Sequence, residues 1–307
     1  MSFPLDFFCR RREEKTRLSL PESVQKVIPL EIQNIFIKFF DYVNRNKNLT
    51  LEDFYFFCVS SREKVRSVTK EIESFYSSTI EELREKKENF NKQGAEVKIE
   101  INNQEGFFHF YINGSIDPNK QIGRIYFNLK PNEKFFTFLI LLVVELMRRR
   151  AKAYLKIPDQ NSFPRMINRS DKVVLYFNSE ELDKILEVIS SIYEENFFEE
   201  EIPLFSLPIR DKRGELKGIG FGEEPQGGIT TQLGRSFSTV RAQILYELYN
   251  WMRNNRFDFR RASEEDWKNF WDEFGRICRK YGIDPQNPAF NLVESEFKKT
   301  LRVLKKE

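Results

Sequence analysis

Several basic residues sit where the chain passes from one regular element to the next. Arg124 lies in Gly123-Arg-Ile-Tyr-Phe-Asn128 and Lys156 in Ala153-Tyr-Leu-Lys-Ile-Pro158. Arg165 and Arg169 precede Val173-Val-Leu-Tyr-Phe177, and Arg235 and Arg241 flank Ser236-Phe-Ser-Thr-Val240 at a predicted helix start. Strand ends and helix N-termini gather hydrogen-bond donors, so this placement suits an anion, although each residue alone is more often a solvated charge. Guanidinium is the apt group, because its planar fork binds an oxyanion bidentately and does not deprotonate. Arg124, Tyr126 and Asn128 alternate along a predicted strand, which turns all three to one face.

Other chemistries find less support. His109, in Phe107-Phe-His-Phe-Tyr111, is the only imidazole, and no Gly-x-Ser-x-Gly elbow occurs, which disfavours a Ser-His hydrolase. His109 itself is open to two readings, a packed strand residue or a catalytic acid. Gly218-Ile-Gly-Phe-Gly222 has the glycine content of a phosphate loop. Glu223 and Glu224 follow at once and would repel a phosphate. Cys9, Cys58 and Cys278 are scattered, with no Cys-x-x-Cys pair, so a structural zinc site is not expected, and this ligand-poor composition fits a chemistry that needs no metal and no organic cofactor. Such a set reads as reduced thiols in a cytoplasm.

The elements that must position these residues follow from pattern. The chain has 307 residues, enough for a sizeable core in one large domain or two small ones. Charged residues at 32% beside 40% hydrophobic, with 31 Phe, describe a globular chain rather than a disordered one. A net charge of +3 does not demand nucleic acid. Phe135–Met147 is the most apolar run, but it contains Glu145 and is too short to cross roughly 30 Å of hydrocarbon. It reads as a buried helix, with Arg148–Arg150 at its negative end. No membrane partner is expected.

Residues 20 to about 95 read as helical, beginning at Ser19-Leu-Pro21, with a capping-box spacing at Thr50 and Asp53. Period-2 alternation then predicts strands at Glu96–Ile101, Gly106–Ile112, Gly123–Leu129, Tyr154–Ile157, Lys172–Phe177, Ile202–Leu207 and Lys217–Phe221. Asn113-Gly114 marks a turn, and Asn178 with Glu181 has the spacing of a second capping box. Beyond Ser236 the chain is helical again. The expected fold is α+β, with a helical region over 1–95 and an α+β domain over 96–307, its soft boundary near Gln93–Ala95.

Four stretches, in order, resemble the HopA type III effector family and the HopA-like lyase proteins of lanthipeptide and thioamitide biosynthesis. They are Arg124-Ile-Tyr-Phe-Asn128; Lys156 with Arg169-Ser-Asp-Lys-Val-Val-Leu-Tyr176; Ile202-Pro-Leu-Phe-Ser206 with Gly220-Phe-Gly-Glu-Glu-Pro225; and Ser236-Phe237…Arg241. The resemblance covers about residues 20 to 290. Ser238 stands where the family has Gly, Arg210–Lys217 is an added charged stretch, and His109 has no counterpart.

The resemblance implies a phosphothreonine-lyase-like fold, with a mostly antiparallel sheet flanked by helices. It also implies β-elimination of phosphate from Ser or Thr of a precursor peptide that a separate kinase has phosphorylated. On that view Lys156 is the base, and Arg124, Arg169 and Arg241 clamp the phosphate. Asp171 orients an arginine, and Tyr126 donates to the leaving or carbonyl oxygen. Asn128, Ser236 and His109 are secondary candidates. The competing readings are a non-catalytic protein that grips a peptide or kinase through its helical region, and an anion or RNA binder using the same arginines.

Overall fold

The structure, a computed structural model, describes residues 20, 28–60, 70–92, 97–102, 106–226 and 236–303. Seven strands form one sheet in the order β1-β2-β4-β5-β3-β7-β6. They are β1 (Val97–Asn102), β2 (Phe107–Ile112), β3 (Ile122–Phe127), β4 (Ala153–Pro158), β5 (Val173–Asn178), β6 (Leu207–Asp211) and β7 (Gly214–Glu223). Every neighbouring pair is antiparallel. Around the sheet lie α1 (Leu30–Arg45), α2 (Leu51–Val59), α3 (Lys70–Lys92), α4 (Glu133–Arg148), α5 (Leu182–Ile192), α6 (Phe237–Asn254), α7 (Glu264–Lys280) and α8 (Glu296–Val303). The fold is α+β, as the period changes along the sequence predict.

Alternation along the strands gives the sheet two different faces. Phe108, Phe110, Leu155, Val173, Leu175, Ile125, Phe127, Ile219 and Phe221 point to one side and form a core with α4 and α5. The other side carries Tyr126 and Val174 into a second core, with Phe36, Phe39, Phe54, Phe237, Val240, Phe270 and Phe274 from α1, α2, α6 and α7. Asn132 caps α4 by accepting from the Lys134 amide, and Arg148 at the other end pairs with Glu145. The Thr50–Asp53 capping box forms as its spacing predicts.

Two local expectations are corrected. Ile202–Leu207 is not a strand: residues 203–206 make a turn, with Phe205 at φ 70° and the Ser206 amide bonded to the Pro203 carbonyl at 3.0 Å. The strand starts at Leu207, and the charged Arg210–Lys217 stretch is the β6–β7 hairpin, closed where Asp211 pairs with Gly214. Asn178 does not cap a helix, because its side chain is committed to Asp117, accepting the amide at 2.8 Å and donating to the carbonyl at 2.9 Å. A short 3-10 turn over Ser179–Glu181 therefore precedes α5. The helix start at Ser19–Pro21 and the boundary at Gln93–Ala95 lie outside the described residues, apart from Leu20.

The helices that precede the sheet pack on both of its faces. Ile80 and Leu83 of α3 join the core of α4, whereas α1 and α2 share theirs with the C-terminal helices. Phe36 is fully buried and meets Phe270, Trp271 and Phe274 edge-on at 5.1, 5.8 and 5.0 Å. Phe36→Ala should cost about 3–5 kcal/mol in chemical denaturation and shift a single cooperative transition. A separate early transition that left the sheet folded would show instead that the N-terminal helices form an independent unit.

Candidate functional site

The antiparallel register gathers distant residues in rows across the second face. One row runs Tyr111, Tyr154, Tyr176, Arg124, Gly222, and the next His109, Lys156, Val174, Tyr126, Gly220. The three tyrosine rings stack at 4.9 and 5.0 Å, and the Arg124 guanidinium sits 4.6 Å over Tyr176. The two glycines allow a close approach. A Cβ on Gly222 would fall 2.4 Å from the Phe237 ring, and one on Gly220 would fall 2.6 Å from the Ser206 hydroxyl. The glycine-rich run is therefore a strand that admits α6 and the turn before β6, and no phosphate loop.

Arg124 is buried and ion-paired with Glu224. Burial works against its charge but is outweighed by Tyr176, Glu224 and Tyr126, so its pKa is raised and it stays cationic. Arg169 forks onto Asp171, with both contacts at 2.8 Å, and donates to the Tyr55 hydroxyl at 2.6 Å. Here too burial opposes the charge and Asp171 more than restores it. The loop around Arg169 is tied to the end of α2, where the Ser170 amide and hydroxyl both donate to the Val59 carbonyl, at 2.7 and 3.0 Å.

Arg241 is different. It is fully buried, and its Nε and Nη2 donate to the Pro288 carbonyl at 3.0 and 2.7 Å, while the guanidinium lies 3.8 Å over Phe237. Its Nη1 has no hydrogen-bond partner, and no carboxylate pairs with it among the described residues. Burial lowers its pKa to about 10. Tyr126 packs on the same Phe237 ring at 5.6 Å, and its buried hydroxyl also lacks a partner among the described residues. Burial raises the Tyr126 pKa, so the hydroxyl keeps its proton.

The electrostatic neighbourhoods overlap. Tyr126 feels Arg124, Tyr176, Glu224 and Asp171; Tyr176 feels Arg124, Glu224, Asp171 and Tyr55; Arg241 feels Tyr126. Arg124, Tyr126 and Asp171 thus lie within electrostatic reach of one another, with Arg169 joined through Asp171 and Arg241 through Tyr126, Glu223 and Glu224. Asn128 ends the same strand, fully buried. It accepts from the Lys172 amine at 2.5 Å and donates to the Glu201 carbonyl at 2.8 Å. Lys172 also donates to the Arg169 carbonyl at 2.8 Å and lies 3.6 Å from Glu199. Burial lowers its pKa, an effect Glu199 partly offsets.

Other candidates stand apart. Lys156 shares the row of Tyr126 two strands away, roughly 10 Å across the sheet. Its amine rests 4.0 Å over the Phe107 ring on β2, on the side of β4 away from the arginines. His109 is its register neighbour and bonds through Nδ1 to the Tyr154 hydroxyl. Ser236 occupies the N-cap of α6, but its hydroxyl pairs with Thr239 at 3.0 Å. Arg165 is exposed on a short helical turn, and Arg235 lies outside the described residues.

Sequence reasoning missed Tyr55, Tyr176, Lys172 and Glu224 as members of the cluster. Tyr176 was within reach, because it alternates with Val174 on the strand that pairs with β3. Tyr55 had no signal, since only the tertiary fold brings α2 to Arg169.

Sheet and site together define an α+β protein with a buried cationic cluster on its helix-covered face. Solved structures share this fold. The effector protein from Pseudomonas syringae pv. tomato strain DC3000 aligns with a TM-score of 0.57 at 16% identity, covering 84% of this chain and 96% of that one. The effector protein from Pseudomonas syringae pv. syringae strain 61 aligns with a TM-score of 0.56 at 14% identity, covering 84% and 97%. No curated protein matches the chain. The family model of the HopA1 effector protein family matches residues 100–290, and the chain belongs to that family. Among the described residues no helix is long and apolar enough to cross a membrane.

Glu223 and Glu224 act on Arg241 only at a distance and form no ion pair with it, so an anion that pairs with its guanidinium should stabilise the fold. Inorganic phosphate should therefore raise the melting temperature of the wild type in a concentration-dependent way. Arg241→Met should abolish that response and should change the melting temperature little in phosphate-free buffer. An equal phosphate response in Arg241→Met would show that the ion acts elsewhere.

Proposed function

We propose that this protein is a phosphoserine/phosphothreonine lyase, which removes phosphate from a phosphorylated peptide by β-elimination. The observation that carries the reading is Arg241, a fully buried guanidinium with no carboxylate partner among the described residues, which shares the Phe237 ring with Tyr126, whose unpartnered hydroxyl in turn feels Arg124. Glu223 and Glu224 act on Arg241 without pairing with it, so its Nη1 keeps a donor for an anion. A phosphate monoester is near-dianionic and brings three strong acceptor oxygens.

The reaction removes the proton on the substrate's Cα and breaks the Cβ–O bond. Phosphate leaves, and a dehydroalanine or dehydrobutyrine remains. Arg124, Arg169 and Arg241 hold the phosphate and relieve the charge that grows on it. Tyr126 donates its proton toward the leaving oxygen or the adjacent carbonyl. Asp171 keeps the Arg169 fork in one plane. Lys156 is the base, and it acts after its flexible side chain swings off Phe107 toward β3. The chemistry requires no metal and no organic cofactor, and a separate kinase supplies the phosphorylated peptide.

A second reading has one observation in its favour. The Lys156 amine rests on Phe107, apart from the arginines, as it would in a protein that binds a phosphopeptide or a kinase without turning substrate over. Incubation with a phosphothreonine peptide separates the two. The lyase yields a peptide lighter by phosphoric acid that adds thiols, whereas the binding protein returns the peptide unchanged. Lys156→Ala should slow elimination by about 10²–10⁴-fold with peptide affinity retained. Arg124→Lys, which loses the fork, should lower kcat/KM by about 10²–10³-fold. Undiminished turnover in Lys156→Ala would remove that residue from the role of base.

A further inference from the structure

The family match begins at residue 100, yet the described site draws one side chain from α2, well before it. Tyr55 reaches across to Arg169, with its hydroxyl 2.6 Å from Nη2 and its ring 5.2 Å from the guanidinium carbon. An Arg N–H only donates, so the Tyr55 oxygen is the acceptor in this bond, and its own hydrogen remains to be given away. No acceptor takes that hydrogen among the described residues. Arg169 is similarly half-committed. Its Nε and Nη2 are held by Asp171 and Tyr55, while Nη1 makes no hydrogen bond among the described residues. The side chain is 18% exposed.

We propose that Tyr55 is a phosphate-binding residue, which donates its hydroxyl hydrogen to a phosphate oxygen beside Nη1 of Arg169, so that the N-terminal helix α2 forms part of the substrate site. This rests on the phosphate-site reading above. Asp171 fixes the far edge of the guanidinium, Tyr55 fixes the near edge, and the two open donors stand side by side. Burial and the neighbouring Asp171 raise the Tyr55 pKa, which keeps the donor protonated at neutral pH. The bridge pairing of Ser60 with Arg169 and the bonds from Ser170 to Val59 lock α2 to the loop, so the donor pair is set before any ligand arrives.

The test measures affinity by calorimetry for a phosphothreonine peptide and for its unphosphorylated twin, with the full chain and with Tyr55→Phe. The ring is retained, so the melting temperature should hold. The preference for the phosphorylated peptide should fall about 10- to 100-fold, as for one lost hydrogen bond to a charged group, with affinity for the twin unchanged. An undiminished preference in Tyr55→Phe overturns the proposal and leaves the phosphate site standing. A wild type that shows no preference overturns both. Should Tyr55→Phe itself lower the melting temperature, a cycle with Arg169→Gln decides. Coupling between the two changes in phosphopeptide affinity supports the shared site, and strict additivity overturns it.

Discussion

Three buried or half-buried guanidinium groups, from β3, from the loop before β5 and from α6, lie among rings and aliphatic side chains. Taking a charge out of water costs several kcal/mol unless something nearby compensates it. The three arginines meet that cost in different ways. Arg169 has a bidentate carboxylate in Asp171, Arg124 has Glu224 below it and the Tyr176 ring above, and Arg241 has one backbone carbonyl and the Phe237 ring. The compensation falls away from the first to the last. That gradient leaves Arg241 the least compensated of the three, with an Nη1 that no group satisfies among the described residues.

The covering layer is arranged around this problem. Phe237 opens α6 and seats its ring against Gly222, between Tyr126 and Arg241. A side chain at Gly222 would push the helix off the sheet and let water reach both groups. Water would weaken the field at the arginines, since charges interact far more strongly in a dry interior than in solution. The glycines of β7 thus act on the site indirectly, by allowing a ring to seal it. Glu223 and Glu224, which follow them, are split by strand alternation. One accepts from the Asn291 amide at 2.9 Å, while the other turns to Arg124.

That pair shows what could be read from the chain and what could not. Adjacent glutamates after a glycine run argue correctly against a phosphate loop, but the same two letters do not reveal that one of them neutralises an arginine 100 positions earlier. The alternation of Arg124 and Tyr126 was legible because it is a local period, and the sheet keeps it. The buried helix at Glu133–Arg148 was legible for the same reason. The strand expected at Ile202–Leu207 was not, because a left-handed Phe205 breaks an apolar run that otherwise looks continuous. The cap expected at Asn178 failed because a distant loop at Asp117 competes for the same amide. Register, which decides who faces whom, is written in no single segment.

Lys172 illustrates the limit from the other side. By sequence it is one more cation ahead of an apolar strand. In the fold it is fully buried, and its amine joins Asn128, just past β3, to the Arg169 carbonyl in the loop before β5. Burial lowers its pKa, yet the amine is surrounded by acceptors that favour its charged form. A general base needs an open lone pair facing substrate, and this amine is turned instead to Asn128, the Arg169 carbonyl and Glu199. Lys172 therefore belongs to the frame. It ties the end of the strand that carries Arg124 to the loop that carries Arg169, and so holds the two guanidinium groups in a set relation to each other.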